Sequence, residues 1–171
     1  MKQLILTIGL PGSGKSTWAR EEAALGGYID IVERDQIREE LTGDAQNHTR
    51  EAYVTSVANQ RVCNALAAGN SVIVADTNLR AKYRRQWAKI AEEYGAAYRE
   101  VSFLHVPVDV CIERDAQRPN PVGEEVIRIC GSHTVVEAMC YGKSPQEACQ
   151  IAVERMANLR KGKLEDKQIG F

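Results

Sequence analysis

The sequence predicts an α/β fold, a mainly parallel sheet flanked by helices. Short apolar runs suited to buried strands alternate with helical patterns from Leu4 to Gln117, and this alternation is typical of strands joined by helical crossovers. The first apolar run leads into a glycine-rich segment and then into a helical pattern. With 171 residues the chain is long enough for one domain with a sizeable core.

The predicted elements follow one another in a regular order. Short apolar runs bounded by turn residues predict strands over residues 4–8, 28–32, 71–76 and 98–106. Apolar residues at helical spacing predict helices over residues 17–24, 34–43, 49–68, 80–94 and 107–117. The stretch from Arg118 to Gly123 contains two prolines and predicts a turn.

Composition narrows the class of protein. The formal net charge of -1 argues against nucleic-acid binding by bulk charge alone, but a local basic groove is compatible with it. The five cysteines form no CxxC pair and no zinc spacing, and their odd number favours reduced thiols in a cytoplasmic protein. The chain enters a strand directly and contains no apolar run long enough to span a bilayer, so neither a signal peptide nor a membrane association is expected.

The glycine-rich segment from Gly9 to Thr17 fits the phosphate-binding motif G-x-x-x-x-G-K-[ST] at every fixed position. Backbone N–H groups of such a loop and of the following helix point at phosphate oxygens, and the helix dipole favours their negative charge. We therefore expect a P-loop NTPase fold that binds ATP and Mg²⁺, with Lys15 on the β- and γ-phosphates and the Ser16 hydroxyl on the metal. The alternative is a chance glycine-rich turn. The predicted ATP-binding residues of the loop are Gly9, Pro11, Gly12, Ser13, Gly14, Lys15, Ser16 and Thr17.

Asp35 follows the second predicted strand, where ligands of open α/β sheets bind. A carboxylate facing the γ-phosphate there would accept the proton of an attacking hydroxyl, so Asp35 is a candidate general base. Arg38 lies three residues on, shares a helix face with Asp35, and would bind a phosphate of the acceptor. The alternative is a helix-capping aspartate with a surface arginine.

Asp76 ends the third predicted strand, as the Mg²⁺-holding aspartate of the Walker-B position does. It is the candidate metal residue, acting through water, with Ser16. The alternative is again a helix cap.

Arg114 lies near the end of the predicted helix over residues 107–117, and Arg118 lies in the loop that follows this helix. Arginines on a mobile lid stabilise the charge that develops on a transferring phosphoryl group. Arg118 is favoured for this role because it adjoins the turn. The alternative is a solvated helix face.

Basic residues from Arg80 to Arg85, interleaved with Tyr83 and Trp87, form a basic helix. It would line a nucleic-acid groove, or else form a solvated face with a buried Trp87, which is the interpretation we prefer.

Together these residues resemble the 5′-hydroxyl polynucleotide kinase domain of the phage T4-type P-loop kinase family. The resemblance covers residues 1–125. It is carried by residues 5–20, 34–38, 76–79, 84–87 and 93–95, and the end of a lid is matched by residues 121–125.

This resemblance implies transfer of the ATP γ-phosphate to the 5′-hydroxyl end of DNA or RNA. It implies that Asp35 is the general base, that Arg38 contacts the acceptor's 3′-phosphate, and that Arg118 grips the nucleotide phosphates. The matched positions also place Lys15 among the catalytic residues and Thr77 and Asn78 among the acceptor-binding residues. A homo-oligomer is compatible with the sequence.

Residues 127–171 resemble a different family, the glycosylasparaginases and isoaspartyl peptidases. We therefore expect a kinase domain over residues 1–125 and a helical segment over residues 126–171 packed on it. The chain is a natural or artificial fusion, or the segment is a divergent helical tail of one kinase family; the sequence leaves both open. No amidase activity is expected, because the nucleophilic threonine of that family lies outside the matched stretch.

Two further functions compete with the polynucleotide kinase. One is a P-loop kinase of a small-molecule alcohol, with which the near-neutral net charge is compatible. The other is a nucleotide-binding protein without turnover.

Overall fold

The computed structural model describes residues 1–27 and 29–140, with side chains up to residue 133. The chain divides into two units, Met1–Cys130 and Gly131–Phe171. The fold below is that of the first unit and of the helix that leads out of it.

Strands and helices alternate along the first unit, as the sequence predicts. The strands are β1 (Gln3–Ile8), β2 (Ile29–Val32), β3 (Ser71–Val74) and β4 (Ala97–Ser102). The helices are α1 (Lys15–Ala24), α2 (Arg34–Thr42), α3 (Glu51–Ala67), α4 (Ala81–Glu93), α5 (Val108–Ala116) and α6 (Glu124–Cys140), and a 3₁₀ turn over His48–Arg50 precedes α3.

The four strands form one parallel sheet in the order β2-β3-β1-β4. In its centre, Leu6 of β1 lies opposite Val74 of β3 and Glu100 of β4. Because all strands run the same way, their carboxyl ends meet at one edge, and the segments that follow β1, β2 and β3 lie there together. The fold class predicted from the sequence is confirmed.

Successive residues of β1 and β3 are buried on opposite faces of the sheet, which explains why these strands read as continuous apolar runs. Leu4 and Leu6 belong to a core cluster with residues of α3 and α4, including Val62 and Trp87. Ile5 packs instead in a cluster with Ala19 of α1. Helices therefore cover both faces and hold the phosphate loop between β1 and α1.

Several predicted boundaries were wrong by a few residues, each for a local reason. β4 ends at Ser102 rather than at residue 106, because Phe103 to Val106 close a turn in which the Val106 N–H donates to the Phe103 carbonyl. β3 ends at Val74, so Asp76 lies beyond the strand. Helix α1 begins at Lys15, two residues earlier than predicted.

The first unit extends past the predicted domain boundary at residue 125. Ile127 of α6 is fully buried and packs with Leu10 and Cys111. The predicted helical character is seen as far as Cys140. The rest of residues 126–171 lies outside the described residues, and its packing on the predicted kinase domain stays a prediction. Within the described ranges, no helix has the length and apolar character needed to cross a bilayer.

Candidate active site

The phosphate loop is held tightly against its surroundings. The Gly9 N–H donates to the Thr77 carbonyl at 3.1 Å, which joins the loop to the segment after β3. Gly12 has a φ of 78°, and a Cβ there would stand 2.2 Å from the Cys111 carbonyl oxygen of α5. Only glycine fits this approach, because both the backbone angle and the space exclude a side chain. The first turn of α1 follows directly, so its free N–H groups border the loop, as anion binding requires.

Lys15 is buried within this loop. Its Nζ donates to the Leu10 carbonyl at 2.6 Å and lies 3.4 Å from the Ser13 hydroxyl. Burial lowers the pKa of Lys15 to about 8, and the negative charge of Asp76 opposes the decrease. Arg118 and Asp35 also act on Lys15 electrostatically, so the predicted lysine, metal, base and lid residues share one electrostatic environment. A bound phosphate would raise the pKa of Lys15 and favour its charged form.

Asp76 lies two residues after the end of β3 and is partly buried. Its Oδ1 accepts the backbone N–H of Arg34, the first residue of α2, at 3.2 Å. Burial raises the pKa of Asp76 to about 6, although the charge of Arg34 opposes the increase. The Asp76 carboxylate therefore gives the first backbone N–H of α2 a hydrogen-bond partner. It also acts electrostatically on Lys15 of the phosphate loop.

Asp35 and Arg38 lie on one face of α2, as the spacing predicts. The Arg38 Nη1 donates to Asp35 Oδ1, and its Nε and Nη2 donate to Glu51 at the start of α3. Arg38 has a side chain only 9% exposed, whereas that of Asp35 is 58% exposed. The carboxylate is thus oriented by the arginine and open to an incoming hydroxyl. Asp35 is not the N-cap of α2, which is Glu33.

Glu51 is the centre of this cluster and was missed by the sequence analysis. Arg34 Nη2 and Arg38 Nε donate to its two oxygens, and His48 Nδ1 lies 3.0 Å from one of them. The hydrogen bond from Arg38 is the main cause of the lowered pKa of Glu51. Arg34 was likewise given no role. Both residues lack a local signal, because the contacts join residues 13 and 17 positions apart.

The predicted lid turn is anchored by another residue that the sequence analysis missed, the buried Asp115. Its Oδ2 accepts the Gly123 N–H at 2.9 Å, and its Oδ1 lies 3.5 Å from Arg118 Nη1. Arg114 lies beside the loop, with its Nη1 3.9 Å from where a Cβ on Gly14 would stand. Both predicted lid arginines are therefore carried by the segment that backs the phosphate loop.

The predicted lid turn also contacts the segment between α2 and the 3₁₀ turn. The side-chain amide of Gln46 donates to the Pro121 carbonyl at 2.7 Å and to the Asn120 carbonyl at 3.3 Å. Gln46 lies between α2 and the 3₁₀ turn, 75 positions away from Pro121.

Thr77 contacts the phosphate loop, and Asn78 contacts β1, the strand that precedes the loop. The Thr77 carbonyl accepts the Gly9 N–H, and the buried Asn78 side chain donates to the Thr7 carbonyl at 3.0 Å. Their contact with an acceptor stays a prediction. The basic helix is α4: Trp87 is buried as we preferred, and Arg84 donates to the carbonyls of Asn78 and Leu79.

The residues present fit a magnesium ion shared with a nucleotide. Among the described residues no three His, Cys, Asp or Glu side chains form a protein-only metal cluster. Mg²⁺ keeps several waters and uses one or two protein oxygens together with substrate phosphates. Ser16, in the first turn of α1, and Asp76, after β3, are the residues that would hold it.

A family model described as an AAA domain matches residues 4–129 of the chain. The chain belongs to this family. The match includes the phosphate loop, Asp35, Asp76 and both predicted lid arginines.

Relatives confirm the resemblance to polynucleotide kinases. The bifunctional polynucleotide kinase/RNA ligase of Autographa californica nuclear polyhedrosis virus is 30% identical over 143 residues, which are 74% of this chain and 20% of that protein. The L-seryl-tRNA(Sec) kinase of Methanococcus maripaludis is 31% identical over 129 residues, covering 73% of this chain and 49% of that kinase. A solved structure of the Pnkp1/Rnl/Hen1 RNA repair complex shares the fold, with a TM-score of 0.72 at 23% identity over 82% of this chain and 46% of that chain.

The second resemblance is confirmed over a short stretch. The N(4)-(β-N-acetylglucosaminyl)-L-asparaginase of Elizabethkingia miricola is 56% identical over 52 residues, which are 29% of this chain and 15% of that protein. The chain thus spans between 15% and 49% of the length of these three relatives.

Proposed function

We propose that this chain is an ATP-dependent kinase of polynucleotide 5′-hydroxyl ends, in DNA or RNA. The observation that carries the proposal is the meeting of Asp35, Lys15 and Asp76 at the carboxyl edge of the sheet, with Asp35 open to solvent and paired with Arg38. The polynucleotide kinase among the relatives supports this acceptor, and the L-seryl-tRNA(Sec) kinase at similar identity makes a seryl hydroxyl the competing acceptor.

In this proposal the loop holds the nucleotide. Its N–H groups and the charged Lys15 would bind the β- and γ-phosphates of ATP, as in other P-loop enzymes. Ser16, and Asp76 through water, would hold Mg²⁺, which neutralises charge on the phosphate oxygens when bound. Burial of Lys15 strengthens its attraction for phosphate, because little water screens the charge.

Asp35 would act as the general base. Its carboxylate accepts the proton of the acceptor's 5′-hydroxyl while the hydroxyl oxygen bonds to the γ-phosphorus. The bond between the γ-phosphorus and its bridging oxygen breaks, and ADP leaves with that bond's electron pair. Arg118, and Arg114 beside the loop, would stabilise the charge on the transferring group. Arg38 both orients Asp35 and would bind the acceptor's 3′-phosphate.

A comparison of acceptors tests the proposal. Labelled γ-phosphate transfer is measured with 5′-hydroxyl DNA and RNA oligonucleotides, L-seryl-tRNA and a panel of sugars and nucleosides. We expect kcat/KM for the oligonucleotides to exceed that for free sugars and nucleosides by at least about 100-fold, since the charge-assisted contacts to the acceptor's phosphate are worth about 1.5–3 kcal/mol each. Preferential transfer to L-seryl-tRNA or to a sugar would contradict the polynucleotide acceptor. ATP binding without any product would favour a nucleotide-binding protein.

A further inference from the structure

We infer that Arg34 is a second ligand for the acceptor's phosphate, held beside Arg38 by Glu51, which acts as a positioning residue. The inference deepens the proposed function and rests on it. It concerns residues to which the resemblance and the sequence analysis gave no role.

The geometry pairs the two arginines. The Nη2 atoms of Arg34 and Arg38 both donate to Glu51 Oε2, and Arg38 Nε donates to Oε1. Because one carboxylate oxygen contacts both guanidinium groups, these groups lie side by side. Arg34 Nη2 also donates to Thr55 at 3.1 Å, and the Arg34 backbone N–H is fixed by Asp76. The side chain is thus anchored to α3 while its backbone is fixed at the predicted metal residue.

Arg34 retains an unused donor. Its Nε is buried and has no hydrogen-bond partner among the described residues. An unpaired buried donor on a charged group is costly, and native structures seldom keep one without a ligand, water or ion. A guanidinium carries five N–H donors in a fixed fork, a geometry that suits phosphate. Because Nε itself is buried, an acceptor phosphate would reach this guanidinium at Nη1, on a side chain that is 29% exposed.

The charges explain why Glu51 is needed. Two guanidinium groups side by side repel each other, and the carboxylate between them offsets this repulsion. Glu51 occupies Nε and Nη2 of Arg38, and Asp35 occupies one N–H of Nη1, so two of the five Arg38 N–H groups remain for the acceptor. A phosphate that meets Arg34 and Arg38 together is held at a fixed distance from Asp35, which places the hydroxyl before the base.

A second ion pair between the same helices provides a matched control. Arg61 of α3 donates to Glu40 of α2, and both side chains are more than 40% exposed. This pair also links α2 and α3, but it shares no contact with Arg34, Arg38 or Glu51. Variants that remove this pair therefore measure the structural effect of losing an ion pair between α2 and α3 without changing a residue of the candidate site.

The test compares Arg34→Gln and Glu51→Gln with Arg61→Gln and Glu40→Gln. Each protein is assayed with a 5′-hydroxyl oligonucleotide and with the same oligonucleotide carrying a neutral methylphosphonate at its first linkage. We expect Arg34→Gln to raise KM for the charged oligonucleotide about tenfold, the loss of one charge-assisted hydrogen bond. KM for ATP and KM for the methylphosphonate acceptor should stay within about twofold of wild type.

Glu51 has its own expected signature. Glu51→Gln should raise KM for the charged oligonucleotide without raising KM for ATP, and Glu51→Asp should restore part of the loss because it keeps the charge. Equal changes with both acceptors, or equal changes in the Arg61 and Glu40 controls, would overturn the inference.

A binding measurement separates this inference from the proposed function. Calorimetric binding of a nucleoside 3′-phosphate to the full chain should weaken about tenfold in Arg34→Gln. If the wild type transfers phosphate to no polynucleotide, the proposed function fails, and the binding result still decides the role of Arg34. Equal binding by the two proteins, or no binding by wild type, would overturn that role.

Discussion

Asp76 shows how a single side chain serves the fold and the site at once. Its carboxylate accepts the first N–H of α2 and lies in a desolvated position that raises its pKa to about 6. A carboxylate in such a place is not favourable for folding, because burial disfavours its charged form. We infer that the protein keeps a carboxylate at this position, despite its unfavourable effect on folding, because a bound metal ion would favour the charged form.

We expect Asp76→Asn to make the protein more stable and less active. The folded-state pKa lies about two units above the ordinary 3.8. The folded protein therefore binds more protons than the unfolded chain at pH values between these two pKa values. As a result, the free energy of unfolding falls as the pH rises through that window. Asparagine has no carboxyl group to ionise, so the variant does not lose this free energy of unfolding. Its amide oxygen can still accept the Arg34 N–H. The free energy of unfolding at pH 7 should therefore rise by up to about 3 kcal/mol, since one pKa unit is about 1.4 kcal/mol.

Urea unfolding at pH 7 and pH 4 measures this effect. The gain should be present at pH 7 and small at pH 4, where the wild-type carboxyl is largely protonated in the folded state. A variant less stable than wild type at pH 7 would contradict the desolvation of Asp76.

At the residue scale, local patterns predicted side chains that contact near neighbours in the chain. The pairing of Asp35 with Arg38 follows from their helical spacing, and the loop residues follow from a fixed motif. Glu51 and Asp115 could not be found this way. Their partners Arg34 and Gly123 are brought to them by the packing of α2 on α3 and by the lid turn, which no local periodicity encodes.

At the element scale, the site depends on how closely α5 backs the phosphate loop. The Cys111 carbonyl leaves no room for a Cβ on Gly12. Strand and helix types were predictable from apolar periodicity, but their ends were not. β4 stops at Ser102 because the next residues form a hydrogen-bonded turn, although they remain partly apolar.

Two glycines with nearly equal φ angles allow the effect of packing on stability to be measured apart from the effect of backbone conformation. Gly12 has a φ of 78° and Gly43, at the end of α2, has a φ of 76°, but a Cβ on Gly43 would meet nothing within 4 Å. Gly43→Ala should cost about 1–2 kcal/mol of stability, the left-handed penalty alone. Gly12→Ala should cost about 1–3 kcal/mol more, because the loop or α5 must move.

Thermal unfolding of both variants, with and without ATP, provides the measurement. Gly12→Ala should also lose stabilisation by ATP, whereas Gly43→Ala should keep it. Equal losses of stability in the two variants would contradict the close packing of α5 on the loop.

At the scale of the whole molecule, the order of strands brings together segments that are distant in the chain. The parallel sheet was predictable because strands and helices alternate. Its order β2-β3-β1-β4 places the ends of β1, β2 and β3 at one edge, and this explains why Lys15, Asp35 and Asp76 meet. The contact of Gln46 with the lid, 75 positions away, depends on the completed fold and has no counterpart in the local sequence.

The most direct test of the account is labelled γ-phosphate transfer from ATP to a 5′-hydroxyl oligonucleotide by wild type and by Asp35→Asn. The asparagine keeps the size of the side chain but removes the carboxylate that would accept the proton. We predict that wild type forms the 5′-phosphorylated product and that the variant binds ATP equally well with kcat reduced at least about 100-fold. Product formation at the wild-type rate by Asp35→Asn, or none by wild type with ATP bound, would contradict the account.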